Sequence, residues 1–176
     1  MTKLGIIGAM DQEVETLVAA MENCKEETVA GSRFFEGTLE ELPAVVVQCG
    51  IGKVNAALCA QILCSNYQVT HLVNTGIAGS LSLELDIADL VISQDAMYHD
   101  FDCTEFGYPY GQVPRMDTLT FPADEAMMAW AFAAAEALNP GHAKIGRVAS
   151  GDQFIASKER KDFIIEKTRA LCTEME

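Results

Sequence analysis

Apolar runs of strand length recur along the chain at 4–9, 34–39, 43–49, 71–77, 87–94 and 144–150. Each is short and bounded by turn residues, as buried strands are. Amphipathic or alanine-rich helical runs fall between and after them, at about 11–23, 52–66, 122–138 and 157–168. In the first of these, Val14, Leu17, Val18 and Met21 recur at helical spacing behind Asp11, so a strand turns directly into a helix. Turn residues at Gly31-Ser32 and Glu40-Glu41-Leu42-Pro43 separate β-rich pieces, which predicts an antiparallel meander. Beyond it, strand–helix alternation predicts βαβ units. The expected fold is α/β: a three-layer sandwich with a central mixed sheet, helices on both faces, and one domain over residues 1–176.

One stretch breaks the alternation. Residues 98–118 have no period, yet they carry Tyr98, Phe101, Phe106, Tyr108 and Tyr110. A long loop rich in aromatics is expected to pack on a ligand, a second subunit, or both.

Composition narrows the function classes. With 176 residues, 49% of them hydrophobic, and a mean hydropathy of +0.13, the chain can build one real core. No apolar stretch reaches the length of a membrane span, and an acidic residue stands too early for a signal peptide, so a soluble cytoplasmic protein is expected. Net charge is −14, which repels phosphate backbones and argues against nucleic acid as a partner. The one basic concentration, Lys158 to Lys161, reads as the solvated face of a helix. Six cysteines lack both CxxC pairing and zinc spacing, and are expected to be reduced thiols serving as small hydrophobes. The three histidines are scattered and carry no assigned role. Nothing in the pattern asks for a cofactor or a metal.

Three glycine corners follow strands: 8–10 (GAM), 50–54 (GIGKV) and 74–80 (NTGIAGS). Small residues at strand ends let a ligand approach the backbone. The second corner lacks the third glycine of a dinucleotide fingerprint, since Asn55 stands there, and no P-loop motif exists. The first corner is acidic. Asp11 reads as the cap of the helix, and carboxylates in a first turn complement its dipole. Glu13 lies at the edge of the apolar stripe, beside the strand end, so either a dipole role or a chemical one fits it. In residues 147–157, Asp152 reads as a turn residue. Phe154 reads either as a hydrophobic staple or as a ring on which a flat ligand stacks. At the end, Ala170-Leu171-Cys172 begins like a strand whose far side is left unpaired.

Together the motifs resemble those of the 5′-methylthioadenosine/S-adenosylhomocysteine nucleosidases of the nucleoside phosphorylase superfamily. They are GIIGAMDQEVE at 5–15, CGIGKVNAA at 49–57, VNTGIAGSL at 73–81, DLVISQDAMYHDFDCTEFGYPYGQ at 89–112, SGDQFI at 150–155 and EME at 174–176. They stand in the family's order and spacing and cover essentially the whole chain. The resemblance implies a nucleoside phosphorylase-like sandwich that hydrolyses the N-glycosidic bond between adenine and a 5′-thio-substituted ribose, with no cofactor. It makes Glu13 the general base and places Met10 and Ile51 on the water and ribose side. It makes Phe154 the ring stacked on adenine and Ile155 the residue whose backbone reads the adenine edge. Met175 and Glu176 become the ribose pair, with Glu176 on the hydroxyls. Cys103 and Phe106 fall where an aromatic loop closes the neighbour's pocket across a homodimer. The chemistry agrees: carboxylates stabilise an oxocarbenium-like ribose, and a phosphorylase would need cations at the first corner.

Two departures accompany it. Ile77 stands at the third corner where several relatives carry serine. The chain also stops at Glu176, where relatives continue through a helix, a strand and a final helix that supply an aspartate as general acid. A C-terminally truncated, weakly active chain is therefore expected. The alternatives are a related purine nucleoside hydrolase or phosphorylase, and a catalytically incompetent adenosine-binding fragment.

Overall fold

The structure is a computed structural model that describes residues 2–176. It divides into two compact units, one running to Ile77 and including Glu176, the other Ala78–Met175. Both are of the expected α/β class, mixed sheets flanked by helices, with the strands shared between two five-stranded sheets.

In the first unit the elements are β1 (Leu4–Gly8), α1 (Asp11–Ala20), β2 (Glu22–Val29), β3 (Ser32–Leu39), β4 (Leu42–Gln48), α2 (Lys53–Ser65) and β5 (His71–Asn74). Strand order is β2-β3-β4-β1-β5. The meander β2–β3–β4 is antiparallel, as expected, while β1 runs parallel to both β4 and β5. The continuous apolar runs arise because both faces of this sheet are covered. Ile7, Phe34, Val45 and Val47 face one core with Cys59 and Leu63 of α2, while Ile6, Phe35, Ala44 and Val46 face another with Val14 of α1. Alternate residues of one strand thus enter opposite cores. β2 starts at Glu22, inside the stretch to 23 expected to be helical, since α1 ends at Ala20. Its polar residues lie on an exposed sheet edge, so they show no hydrophobic alternation, and charge there discourages further pairing.

The second unit comprises β6 (Gly79–Ser80), β7 (Leu90–Tyr98), β8 (Phe121–Pro122), α3 (Glu125–Leu138), β9 (Ala143–Ser150), α4 (Lys158–Thr168) and β10 (Cys172–Glu174). Its order is β6-β10-β9-β7-β8, with β9 parallel to β7 and to β10. α3 starts later than periodicity suggests because Pro122 belongs to β8 and Asp124 caps the helix, its Oδ1 accepting the Met127 N–H at 2.9 Å. The seventh strand begins at Leu90, since Ile87 is fully exposed in the preceding loop. The far side of β10 is not unpaired, contrary to the expectation. Cys172 and Thr173 pair with Ser80 and Gly79 of β6, a two-residue strand too short to leave a periodic signal. Among the described residues, no helix is long and apolar enough to cross a membrane.

Candidate active site

Residues 8–10, 50–54 and 74–77 of the three glycine corners fall in the first unit. Past the strand ends the parallel ladder continues: Cys49 N–H donates to Gly8 O (2.9 Å), Gly50 N–H to Ala9 O (3.1 Å) and Thr75 N–H to Ile7 O (2.9 Å). The corners at 8–10, 50–54 and 74–77 are thereby fixed to one another by main-chain bonds.

Glu13 sits at their meeting point. Its Oε2 accepts the N–H groups of Ala9 (2.7 Å) and Met10 (3.0 Å), and its Oε1 accepts that of Ile77 (2.9 Å). Gly76 is needed for this grip, because a Cβ there would lie 2.6 Å from Glu13 Oε1. The reading of Asp11 as helix cap is corrected: Met10 holds the cap position and Asp11 is the first helical residue, exposed. Glu13 itself supplies the side chain that reaches back to the cap's N–H, half of a capping box.

The second corner needs a left-handed backbone at Gly50 (φ 81°) and again at Gly52 (φ 104°). Asn55 Nδ2 donates to Ile51 O at 2.7 Å and braces the loop from the first turn of α2. The Gly52 N–H points to Glu176 Oε1, a long contact of 3.4 Å. Both carboxylates are felt at Cys49. Burial first, then the charges of neighbouring Cys59, Glu176 and Glu13, push its thiol up to about 12, so it stays protonated and inert. Met10 is half-buried, whereas Ile51 and Ile77 are open to solvent. The first unit therefore brings together Glu13, Met10, Ile51, Ile77 and Glu176. Two cations of this unit, Arg33 and Lys3, are engaged by other carboxylates. Arg33, which feels Asp11, is bound by Glu26 at 2.7 Å, and Lys3 is paired with Glu36 at 2.6 Å.

The second unit holds Phe154, Ile155, Met175, Cys103 and Phe106. Phe154 is 85% exposed, and with Ser157 as the cap of the following helix, its Oγ accepting the Arg160 N–H, the staple position falls on Ala156, so the staple reading fails. Ile155 packs on a cluster containing Leu81, Ala149, Ile164 and Ala170. The Asp152 N–H donates to Asp100 Oδ2 (2.8 Å), and the Gly151 N–H to Glu174 O (3.2 Å), which anchors the 150–155 segment. Phe106, 81% exposed, ends a single helical turn at 104–106 that Asp102 braces, its Oδ1 accepting from the N–H and hydroxyl of Thr104. Cys103, at the cap of that turn, is half-buried.

Three residues left without a role in the sequence belong to this neighbourhood. His99 is completely buried with its ring against Gly151, where a Cβ would come within 2.4 Å. The register that pairs Tyr98 with Ser150 puts these two next residues side by side. Tyr110 donates to His99 O at 2.7 Å, and Arg160 donates to the same oxygen at 3.1 Å. The basic run at 158–161 is thus not wholly a solvated face: Lys158 is solvated, while Arg160 turns inward. Among the described residues no group of three His, Cys, Asp or Glu side chains could hold a metal ion.

This arrangement has close counterparts. Residues 3–176 match the Phosphorylase superfamily. A 5′-methylthioadenosine/S-adenosylhomocysteine nucleosidase of Marinomonas sp. (strain MWYL1) is 41% identical over 175 residues, covering 99% of this chain and 74% of the relative. Among solved structures, the nucleosidase of Neisseria meningitidis in complex with methylthio-immucillin-A superposes with a TM-score of 0.95 at 34% identity, over 99% of this chain and 76% of that one. The Colwellia psychrerythraea enzyme in complex with adenine does so with a TM-score of 0.94 at 37% identity, over 99% and 72%. The chain belongs to the 5′-methylthioadenosine/S-adenosylhomocysteine nucleosidase family of the Phosphorylase superfamily.

Proposed function

We propose that the chain hydrolyses the N-glycosidic bond of 5′-methylthioadenosine and S-adenosylhomocysteine, releasing adenine and the 5′-thio-substituted ribose. The observation that carries this reading is the Glu13 carboxylate gripped by three backbone N–H groups at a corner lined with negative charge. A carboxylate offers about four acceptor positions. Three are taken, which leaves one for a water. That water forms a bond from its oxygen to C1′ as the C1′–N9 bond breaks. Its proton passes to Glu13, and the electron pair leaves with adenine, which takes up a proton. Positive charge gathers on the ribose meanwhile, and Glu13 and Glu176 are placed to stabilise it.

In this reading Met10 and Ile51 line the water and ribose side, and Ile77 presents both its N–H to the base and its side chain to the ligand. Phe154 stacks on adenine, as its exposure in an otherwise anchored segment supports, and the Ile155 backbone reads the adenine edge. Met175 packs on the ribose, and Glu176 takes its hydroxyls. The chain acts as a homodimer in which Cys103 and Phe106 complete the partner's 5′-alkylthio pocket; the exposed Phe106 ring on a turn braced by Asp102 supports this. No cofactor takes part.

The test is adenine release from methylthioadenosine with and without phosphate, with the wild type and Glu13→Gln. Release without phosphate and a loss of about 10²–10⁴-fold in the variant are expected. A strict phosphate requirement would make the chain a phosphorylase. Light scattering of the purified chain at twice the monomer mass supports the dimer, and a monomer refutes it.

A further inference from the structure

Arg160 reaches backwards from the first turn of α4 over the segment that precedes it. Its Nη2 donates to His99 O (3.1 Å) and to Gln153 Oε1 (3.1 Å). The guanidinium lies 4.8 Å from the Phe163 ring, one turn on, and Tyr110 meets the same ring edge-on at 5.4 Å. One cation therefore joins three pieces of chain: the end of β7 at His99, the 150–155 segment at Gln153, and α4. Tyr110, by contrast, bonds His99 O from within its own loop.

Resting on the nucleosidase reading above, we propose that Arg160 is a positioning residue for the purine end of the substrate. It touches no reacting atom. Instead it holds the 150–155 segment, with Phe154 and Ile155, in register with His99. The segment is tied as well by its main chain, with Ser150 O accepting the His99 N–H and with Gly151 and Asp152 donating to Glu174 O and Asp100 Oδ2, and by Ile155, which packs on the cluster around Leu81 and Ile164. Phe154 stands between the packed Ile155 and Gln153, whose amide is the polar anchor beside it, and Phe154 itself is 85% exposed, so its own packing does little to set the ring's position. Both bonds leave one nitrogen, Nη2, whose two hydrogens satisfy the two acceptors, while the flat face of the guanidinium stacks on Phe163, a contact that a lysine ammonium at this place cannot reproduce in the same geometry.

The experiment measures adenine binding to the full chain by calorimetry, with 5-methylthioribose as a second ligand and thermal unfolding in parallel. Arg160→Ala is expected to weaken adenine about tenfold, the scale of one lost charge-assisted bond, while 5-methylthioribose affinity stays unchanged. Gln153→Leu cuts the same link at an exposed side chain and is expected to act in the same direction. Arg160→Lys should fall between wild type and Arg160→Ala. If Arg160→Ala does not unfold cooperatively, the Gln153→Leu comparison decides. Where the wild type binds adenine, unchanged adenine affinity in a folded variant, even with a lower Tm, overturns the positioning role alone. So does equal weakening of both ligands. A wild type that binds no adenine overturns the nucleosidase reading and this proposal with it.

Discussion

The two units hold their site residues in opposite ways. In the first, backbone amides hold a side chain: the N–H groups of Ala9, Met10 and Ile77 fix the Glu13 carboxylate. In the second, side chains hold a backbone: Tyr110 and Arg160 converge on the His99 carbonyl, and Asp100 accepts from the Asp152 N–H. The cores differ in parallel. Buried clusters of ten and six residues cover the two faces of the first sheet, whereas the second unit has a cluster of four. A sheet buried on both faces makes its strand ends rigid, so main-chain donors there can aim at a carboxylate without further help. Where the apolar core is small, polar links do more of the fixing.

That contrast can be broken by mutation. The largest stability effect is expected from Leu63→Ala, which empties a fully buried site in the first unit and should cost about 2–5 kcal/mol in chemical denaturation. In the second unit the sensitive position is polar. Arg147 makes a two-pronged pair with Asp95, at 2.6 and 2.7 Å, and also donates to Thr168 O at the end of α4. Because its side chain is 25% exposed, Arg147→Ala should cost less than a fully buried pair would, about 1–3 kcal/mol. A loss for Arg147→Ala that exceeds that for Leu63→Ala would reverse the comparison.

Gly76→Ala sharpens it at the site. The added methyl collides with Glu13 Oε1, so a fall in turnover of about tenfold or more is expected, with little change in adenine affinity. Weakened adenine binding with intact turnover would instead link Gly76 to the purine.

The smallest effect concerns thiols. Burial pushes Cys49 up to about 12 and Cys172 to about 11, while Cys24 and Cys64 are exposed. The raised values mean that the folded state favours the protonated thiols. Their contribution is complete below the ordinary thiol value near 9 and is lost as pH climbs through the 11–12 range. At pH 8, a thiol reagent should label Cys24 and Cys64 quickly and leave Cys49 and Cys172 until unfolding. Fast labelling of Cys49 would show that the first unit's core is looser than its burial indicates.

How far the chain could be read in advance follows the same division. The strands and helices whose two faces differ, or whose both faces are buried, left a clear period, and β1, β4, α1 and α2 lie within a few residues of their expected limits. β2 left none, since an exposed polar edge has no alternation to detect. The partner of the last strand, Gly79–Ser80, is too short to carry a pattern. At the site, the residues alone left Glu13 open between a dipole role and a chemical one, and the resemblance singled it out; its bonds to Ala9 and Met10 are local, three and four residues away. The grip of Ile77 and the clearance at Gly76 were not legible, because they depend on β1 and β5 being neighbours. Arg160 was hidden altogether: its contact with His99 spans 61 residues, and a basic run on a helix looks the same whether it faces water or a carbonyl.

In the proposed reaction Glu13 is the group that activates water. The most direct test of that role is the rate of adenine release from methylthioadenosine in phosphate-free buffer by wild type and by Glu13→Gln, a substitution that keeps the shape but cannot take a proton. Adenine release by the wild type and a rate at least about 100-fold lower in the variant is the predicted result. Equal rates in the two proteins would contradict it.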